Sequence, residues 1–369
     1  MKKFLSLSAC IALTLSACQP AGSGDTIKIG FIGPLTGDAA AYGVDTLNGA
    51  KMKVDEINAA GGINGKQISL IVEDSKCNGA DAVSAAQKLA NVDKVVGVIG
   101  GACSSETLGA APIFEAAKIV EIGTLSSSPD ITKAGDFIFR AYPSDALKTK
   151  AMAQYFRSKG FTKVAVIAEN TDFCVGFRDA LKKDFGALVF DESVEPGTKD
   201  YRSLMTRLKD VEFDVLVANG QSPATIAVMV QQMREQGLKQ LAITHDAGQT
   251  TETITVGGEA VNGLQAINVP SIGDDTEFGK KVLAKYGAPR GAIAFVAHAF
   301  DAMGVLAQAI GKVGTDGAAI RDELYALPAY NGVVGNFSFD ENGDAVGINY
   351  KLIEVQEGKW VDLQDVVAE

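Results

Sequence analysis

The sequence is poor in the residues that carry metal and nucleophilic chemistry. Its 369 residues contain two histidines, His245 and His298, and five cysteines. The histidines form no HExxH pair and no two cysteines stand as CxxC, so the common zinc sites lack their ligands. No GxxxxGK[ST] loop is present, and no GxGxxG follows the first strand-like run, which ends in Gly33-Pro34-Leu35-Thr36-Gly37. A nucleotide site is unsupported. No GxSxG elbow occurs, and neither histidine stands beside a Ser or Cys nucleophile, so a hydrolytic triad has no local support. Basic residues are outnumbered, 34 Lys+Arg against 45 Asp+Glu for a net charge of −11, and no basic run exceeds two residues. Nucleic acid is not an expected partner. The acidic pairs Asp55-Glu56 and Glu73-Asp74 read as helix-face and strand-end charges rather than a general acid/base couple. Asp340 to Asp344 lacks the spaced carboxylates of a calcium loop and reads as a turn. No catalytic apparatus, metal or cofactor is expected.

What is present is a globular chain, 47% hydrophobic and 21% charged, of a size for about two domains at roughly 100 to 200 residues each. Residues 1–18, MKKFLSLSACIALTLSAC, join Lys2 and Lys3 to an apolar stretch from Phe4 to Leu15. That stretch is too short for a membrane span of about 20 residues and reads as an export signal. Its end, Leu15-Ser16-Ala17-Cys18, resembles the lipobox of bacterial lipoproteins, in which Cys18 is lipidated and becomes the mature N-terminus; ordinary cleavage nearby is the alternative. Loss of Lys2 and Lys3 leaves 32 basic against 45 acidic residues, a net −13. Residues 19–25, QPAGSGD, read as a flexible tether.

Export places Cys77, Cys103 and Cys174 in an oxidising compartment. Cys77 and Cys103 each follow a strand-like run, and neighbouring strand ends meet the roughly 5.5 Å Cα spacing of a disulfide. A Cys77–Cys103 bridge with Cys174 free is expected, three unpaired buried thiols being the alternative.

From Thr26 onward, Val/Ile-rich runs alternate with helical patterns, the signature of βαβ units and parallel sheets. Strands are expected at 26–32, 67–73, 95–100 and 119–122, then at 163–168, 188–193, 214–219 and 241–244, with helices between them. Two α/β lobes follow. Long helical patterns at 274–286 and 292–312, a shorter one at 316–327, and hairpin turns at Asn331-Gly332 and Asn342-Gly343 come after the second series. The helices are expected to return to the first lobe, and the strand at 350–356 to cross back to the second. The lobes would comprise 26–145 with 272–349, and 146–271 with 350–369. Small polar residues after strands stand out: Ala102-Cys103-Ser104-Ser105 opens a helix whose free N–H groups suit an anion such as a carboxylate. Leu125-Ser126-Ser127-Ser128 follows the next strand and would add donors; plain caps and turns are the alternative for both.

The run from Ile27 to Cys77 resembles the opening of the periplasmic leucine/isoleucine/valine-binding proteins, the type I amino-acid receptors of ABC importers. The likeness rests on Gly33-Pro34-Leu35-Thr36-Gly37, on Ile57-Asn58-Ala59-Ala60-Gly61-Gly62-Ile63-Asn64-Gly65, and on Glu73-Asp74 before Cys77. It continues through ACSSETLGAAPIFE, 168–177, 194–208 and 233–239, and spans the mature chain. The resemblance implies two doubly wound Rossmann-like lobes joined by a multi-strand hinge, closing on a ligand between them.

It also implies a site. Ser104 and Ser127 would hold the ligand's carboxylate, with Ala102, Cys103 and Ser126 alongside, and the Leu125 carbonyl would face its ammonium. Asp246 would supply the acid for that ammonium, an unpaired buried ammonium being costly; a cap is its other reading. Tyr42 would lie over the ligand, with Phe173 and Gln221 where relatives often carry tyrosine. Gln221 is the departure that leaves branched-chain ligands insecure. His245 is read as a structural neighbour, and Phe295 and His298 as core. The expected function is the exported, lipid-anchored, monomeric substrate-binding component of an ABC importer. It would take an α-amino acid, branched-chain or another that is mainly apolar or small, to inner-membrane permease subunits and their ATPases. A receptor for urea, short amides or a small carboxylate is the alternative, as is a sensory co-receptor not coupled to uptake.

Overall fold

The computed structural model describes residues 26–366; the export signal, the tether and Cys18 lie outside them. The first series of elements is β1 (Ile27–Gly33), α1 (Ala40–Ala59), β2 (Ile68–Asp74), α2 (Gly79–Lys88), β3 (Gly97–Gly100), α3 (Ser104–Ala117), β4 (Val120–Gly123) and β5 (Ile138–Arg140). Its five strands form a parallel sheet in the order β2-β1-β3-β4-β5. The second series is α4 (Asp145–Ser158), β6 (Val164–Glu169), α5 (Asp172–Phe185), β7 (Phe190–Val194), α6 (Arg202–Lys209), β8 (Val215–Asn219), α7 (Pro223–Glu235), β9 (Leu241–Thr244), α8 (Thr251–Gly257) and β10 (Gln265–Asn268). Its strands run parallel in the order β7-β6-β8-β9-β10, the same winding repeated. Both orders reverse beside the first strand, which opens a crevice beyond the carboxyl ends of β1 and β3 in one lobe and of β6 and β8 in the other.

The inner strands are apolar on both faces because helices cover both. All six residues of β6 and all five of β8 are buried.

The chain then continues through α9 (Glu277–Tyr286), α10 (Ile293–Val313), α11 (Gly317–Tyr325), β11 (Tyr330–Gly332), β12 (Gly335–Phe339), β13 (Ala345–Val346), β14 (Tyr350–Gln356) and β15 (Lys359–Val366). Helix α10 returns to the first sheet and packs along α1, sharing a core with Phe31, Ile99 and Ile122. By length and composition it is apolar enough to cross a bilayer, but it is almost wholly buried. Strand β14 crosses back and pairs antiparallel with β10, Gln265 opposite Glu354. Asn331-Gly332 lies within β11 rather than in a turn, and the β11–β12 reversal falls at Val333-Val334. The short strands β5 and β10 stand outside the expected set, because three or four residues leave too little periodicity to read, and so does β15, an edge strand exposed along most of its length.

Cys77 and Cys103 are joined in a disulfide with Cα atoms 5.4 Å apart, and Cys174 is a buried free thiol. Lys76 and Cys77 both take left-handed backbone, φ 52 and 61. Glu106 secures this corner. Its buried carboxylate accepts from the N–H groups of Cys77 (3.0 Å), Ala102 (2.9 Å) and Cys103 (2.8 Å) and from the Ser75 hydroxyl. Burial pushes Glu106 up to about 7 despite these donors.

Gly49 sits where α1 crosses α10, and a Cβ there would overlap the Val296 carbonyl oxygen. Backbone cannot give way as a side-chain tip can. Gly49→Ala is therefore expected to cost about 1–3 kcal/mol, read as a shift of the urea midpoint at unchanged slope.

Candidate functional site

The two crevices face each other, and the residues at their strand ends line one small cavity. From the first lobe come Tyr42, Ala102, Cys103, Ser104 and Leu125; from the second, Phe173, Gln221, Asp246 and Ala247; Phe295 comes from the start of α10. The empty space among these residues, part of it open to solvent, is about 330 Å3. The cleft is closed over it. The Tyr42 hydroxyl reaches across to donate to the Ala247 carbonyl at 2.9 Å, with the Gln221 carbonyl at 3.4 Å. Tyr42 packs edge-on to Phe295 with centroids 5.7 Å apart.

Local structure explains the first wall. Gly101, in left-handed backbone at φ 70, turns its carbonyl to accept from Thr124 (3.0 Å), Leu125 (3.4 Å) and Ser126 (3.3 Å). The loop after β4 is thereby laid against the start of α3. Ser104 Oγ accepts from the Ser128 N–H at 3.1 Å, which leaves its own proton to donate into the cavity. Ser126 accepts from Thr107 at 2.9 Å, and Ser127 donates to Asp145 at 2.9 Å. Both serines are buried and neither lines the cavity. Of the hydroxyls expected to meet a carboxylate, the structure brings Ser104 to the cavity and commits Ser127 elsewhere.

The second wall carries Asp246, the one acid or base that lines the cavity. Behind it stands a residue that sequence reasoning missed. Lys148, fully buried, pairs with Asp145 at 2.7 Å and with Asp246, and lies 5.6 Å over the Tyr142 ring. Asp145 and Lys148 are three apart on α4 and so share a face, a weak signal without a partner in view. Burial disfavours each charge. It raises Asp145 to about 6 against the pull of Lys148. It opposes the charge on Lys148 as well, but the two carboxylates prevail and hold the ammonium above the ordinary lysine value. Asp246 is likewise penalised by burial, yet Lys148 keeps it below the usual carboxylate value. With both acids ionised the trio carries one uncompensated negative charge.

His245 is buried beside the trio, ring edge toward Phe173 at 4.7 Å. Asn219 donates its amide to the Cys174 carbonyl, so its Oδ1 faces His245 Nε2 at 3.0 Å as acceptor. That assigns the proton to Nε2. Burial pushes His245 down to about 3, so it is neutral and its Nδ1, 3.8 Å from Asp246, makes no ion pair. His298 is core, bonded to the Ala141 carbonyl at 2.9 Å. Phe295, read as core, is buried and also lines the cavity; a period of 3.6 cannot tell which face of a core helix ends at a cavity.

The chain resembles known proteins by family profile, by sequence and by structure. The profile of the family described as periplasmic binding protein matches residues 26–359. A leucine-, isoleucine-, valine-, threonine-, and alanine-binding protein of Pseudomonas aeruginosa is 30% identical over 340 residues, 89% of this chain and 90% of that one. Among solved structures, a leucine binding protein from Thermotoga maritima superposes with TM-score 0.84 at 26% identity, covering 93% of this chain and 99% of that one. A branched-chain amino acid transporter substrate binding protein from Streptococcus pneumoniae, in complex with isoleucine, gives TM-score 0.82 at 28% identity over 92% and 100% of the two chains.

Lys148→Met strands two buried carboxylates. It is expected to cost about 3–5 kcal/mol near neutral pH. Both acids then titrate higher in the folded than in the unfolded chain, so the deficit grows as pH rises from about 4 and shrinks on acidification. Denaturant unfolding of both proteins between pH 4 and 8 checks this.

Proposed function

The chain belongs to the periplasmic binding protein family, in its leucine/isoleucine/valine-binding branch, and from that premise we propose that it is the extracytoplasmic substrate-binding component of an ABC importer, capturing an α-amino acid between its lobes. It is a binding protein, not an enzyme. One observation carries the choice of ligand. The closed cavity sets a hydroxyl and a helix N-terminus, at Ser104, opposite a buried trio with one negative charge in excess, at Asp246. A carboxylate suits the first and an ammonium neutralises the second. In this reading Ala102, Cys103, Leu125 and Phe173 enclose the ligand, Tyr42 and Gln221 close over it, and Ser126 and Ser127 hold the loop beneath. The lobes divide at 26–145 with 272–349 and 146–271 with 350–369. The protein is exported, anchored through lipid on Cys18, works as a monomer, and hands its ligand to permease subunits driven by separate ATPases.

A second reading, a receptor for a small amide, urea or simple carboxylate, is favoured by one feature. Lys148 already engages the Asp246 oxygen that would otherwise await a ligand cation. Titration calorimetry of the refolded, ligand-free protein separates the two. If the cargo is an α-amino acid, at least one of the twenty binds, its des-amino analogue binds about 100-fold more weakly, and Asp246→Ala costs about 1.5–3 kcal/mol of binding. Equal binding of the des-amino analogue, with Asp246→Ala nearly silent, selects the second reading.

Proton release offers an independent check. Asp145, raised to about 6 without ligand, keeps part of its proton near that pH, and a nearby ammonium lowers it. Capture of an ammonium-bearing ligand should then release a proton, with affinity rising from about pH 5 to pH 7 and levelling above. Calorimetry at pH 6 in buffers of different ionisation heat measures that release, and Asp145→Asn should abolish it.

A further inference from the structure

The inner cavity is not the whole of the cleft. Beside it lies a larger recess, about 1040 Å3 of space that opens to solvent, again walled by both lobes. Its first-lobe wall includes Asp38, Lys76 and Asn78, and its second-lobe wall includes Asn170, Asp172 and Ser222. The two spaces meet at Gln221, which lines both, and at the disulfide, whose Cys103 lines the inner cavity and Cys77 the outer chamber. Glu169 holds the Gln221 backbone N–H at 2.6 Å, so the main chain is pinned. The amide reaches only the Cys103 sulfur, at 4.0 Å, a weak contact that a better acceptor or donor displaces at little cost.

The inner cavity has apolar and aromatic walls, Phe173, Phe295 and the disulfide among them, whereas the space beyond is polar. An apolar branched side chain ends at the passage and gains nothing past it. A longer one threads the passage with its methylenes among the apolar walls and brings a polar end into the chamber. Acids outnumber bases on that wall, Asp38, Asp172 and Glu169 against Lys76, which disfavours a ligand ending in a carboxylate.

We infer that the outer chamber is the side-chain half of the binding site, that Gln221 is the specificity-determining residue between the halves, and that the cargo is an α-amino acid whose long side chain ends in hydrogen-bond donors, an amide, guanidinium or ammonium. This rests on the inner cavity taking the α-amino-acid head group. Calorimetric titration of the ligand-free, disulfide-intact protein with leucine, isoleucine, valine, glutamine, lysine and arginine tests it. Glutamine, lysine or arginine should bind at least about ten-fold more tightly than any of the three branched-chain amino acids, the worth of one or two hydrogen bonds. Gln221→Phe, which fills the passage, should reduce that ratio at least about ten-fold. Asp38→Asn with Asp172→Asn, both on exposed positions, should lower the ratio of lysine or arginine to leucine. Thermal unfolding midpoints establish that each variant is folded. A branched-chain amino acid as the tightest ligand of the unaltered protein overturns the inference, as does a ratio unmoved by Gln221→Phe. Binding of none of the six, together with binding of a des-amino acid or amide, overturns instead the amino-acid reading on which it stands.

Discussion

A charge removed from water must find its compensation within a few ångströms, and in this protein that requirement organises the cleft. Lys148 is sealed from solvent and bound to two carboxylates, one at the start of its own helix and one 98 residues further along the chain. Asp145 in turn is held by Ser127, in the loop after β4, through the serine hydroxyl and through its own N–H to the Ser127 carbonyl at 2.8 Å. The polar chain from Ser127 to Asp246 therefore links the lobes behind the ligand cavity, while the Tyr42 hydroxyl links them in front. The Tyr42 link forms only when the lobes face each other closely. A buried group of this kind is weak evidence for stability, and here it ties helix α4 to the strand end that carries Asp246.

Glu106 does for the first lobe what Lys148 does for the pair. One carboxylate collects three backbone N–H groups and a hydroxyl from the ends of β2 and β3. It satisfies donors that the left-handed backbone at Cys77 and the opening of α3 would leave bare in a buried place. The disulfide then ties the same two strand ends covalently. Ser104 is presented to the cavity by this corner, so the position of its hydroxyl is set by packing behind the cavity wall.

The winding order explains why the functional residues lie so far apart in the chain. Each lobe opens its crevice beside its first strand, and the cavity draws on residues from 42 to 295. Helix α10 belongs to the same logic. It returns after the second lobe is complete and packs on α1, where Gly49 permits backbone contact, and its first turn carries Phe295 to the edge of Tyr42.

Much of this was legible in the residues alone. Repeated Val/Ile runs, glycine-rich reversals and short polar segments after strands are local signals, so the two α/β lobes, the alternation of elements and the position of Ser104, Leu125, Phe173, Gln221 and Asp246 just after strands followed from the sequence and its family resemblance, whereas Tyr42 lies within α1 rather than in the loop before it. Tertiary structure alone decided what those side chains do there. It turned Ser127 from the cavity to Asp145, placed Lys148 behind Asp246, brought Phe295 to the cavity wall, and opened a second chamber past Gln221. The reason is range. Periodicity and turn chemistry act over a few residues, whereas electrostatic compensation and cavity shape depend on groups a hundred or more residues apart that meet only once both lobes are folded and closed.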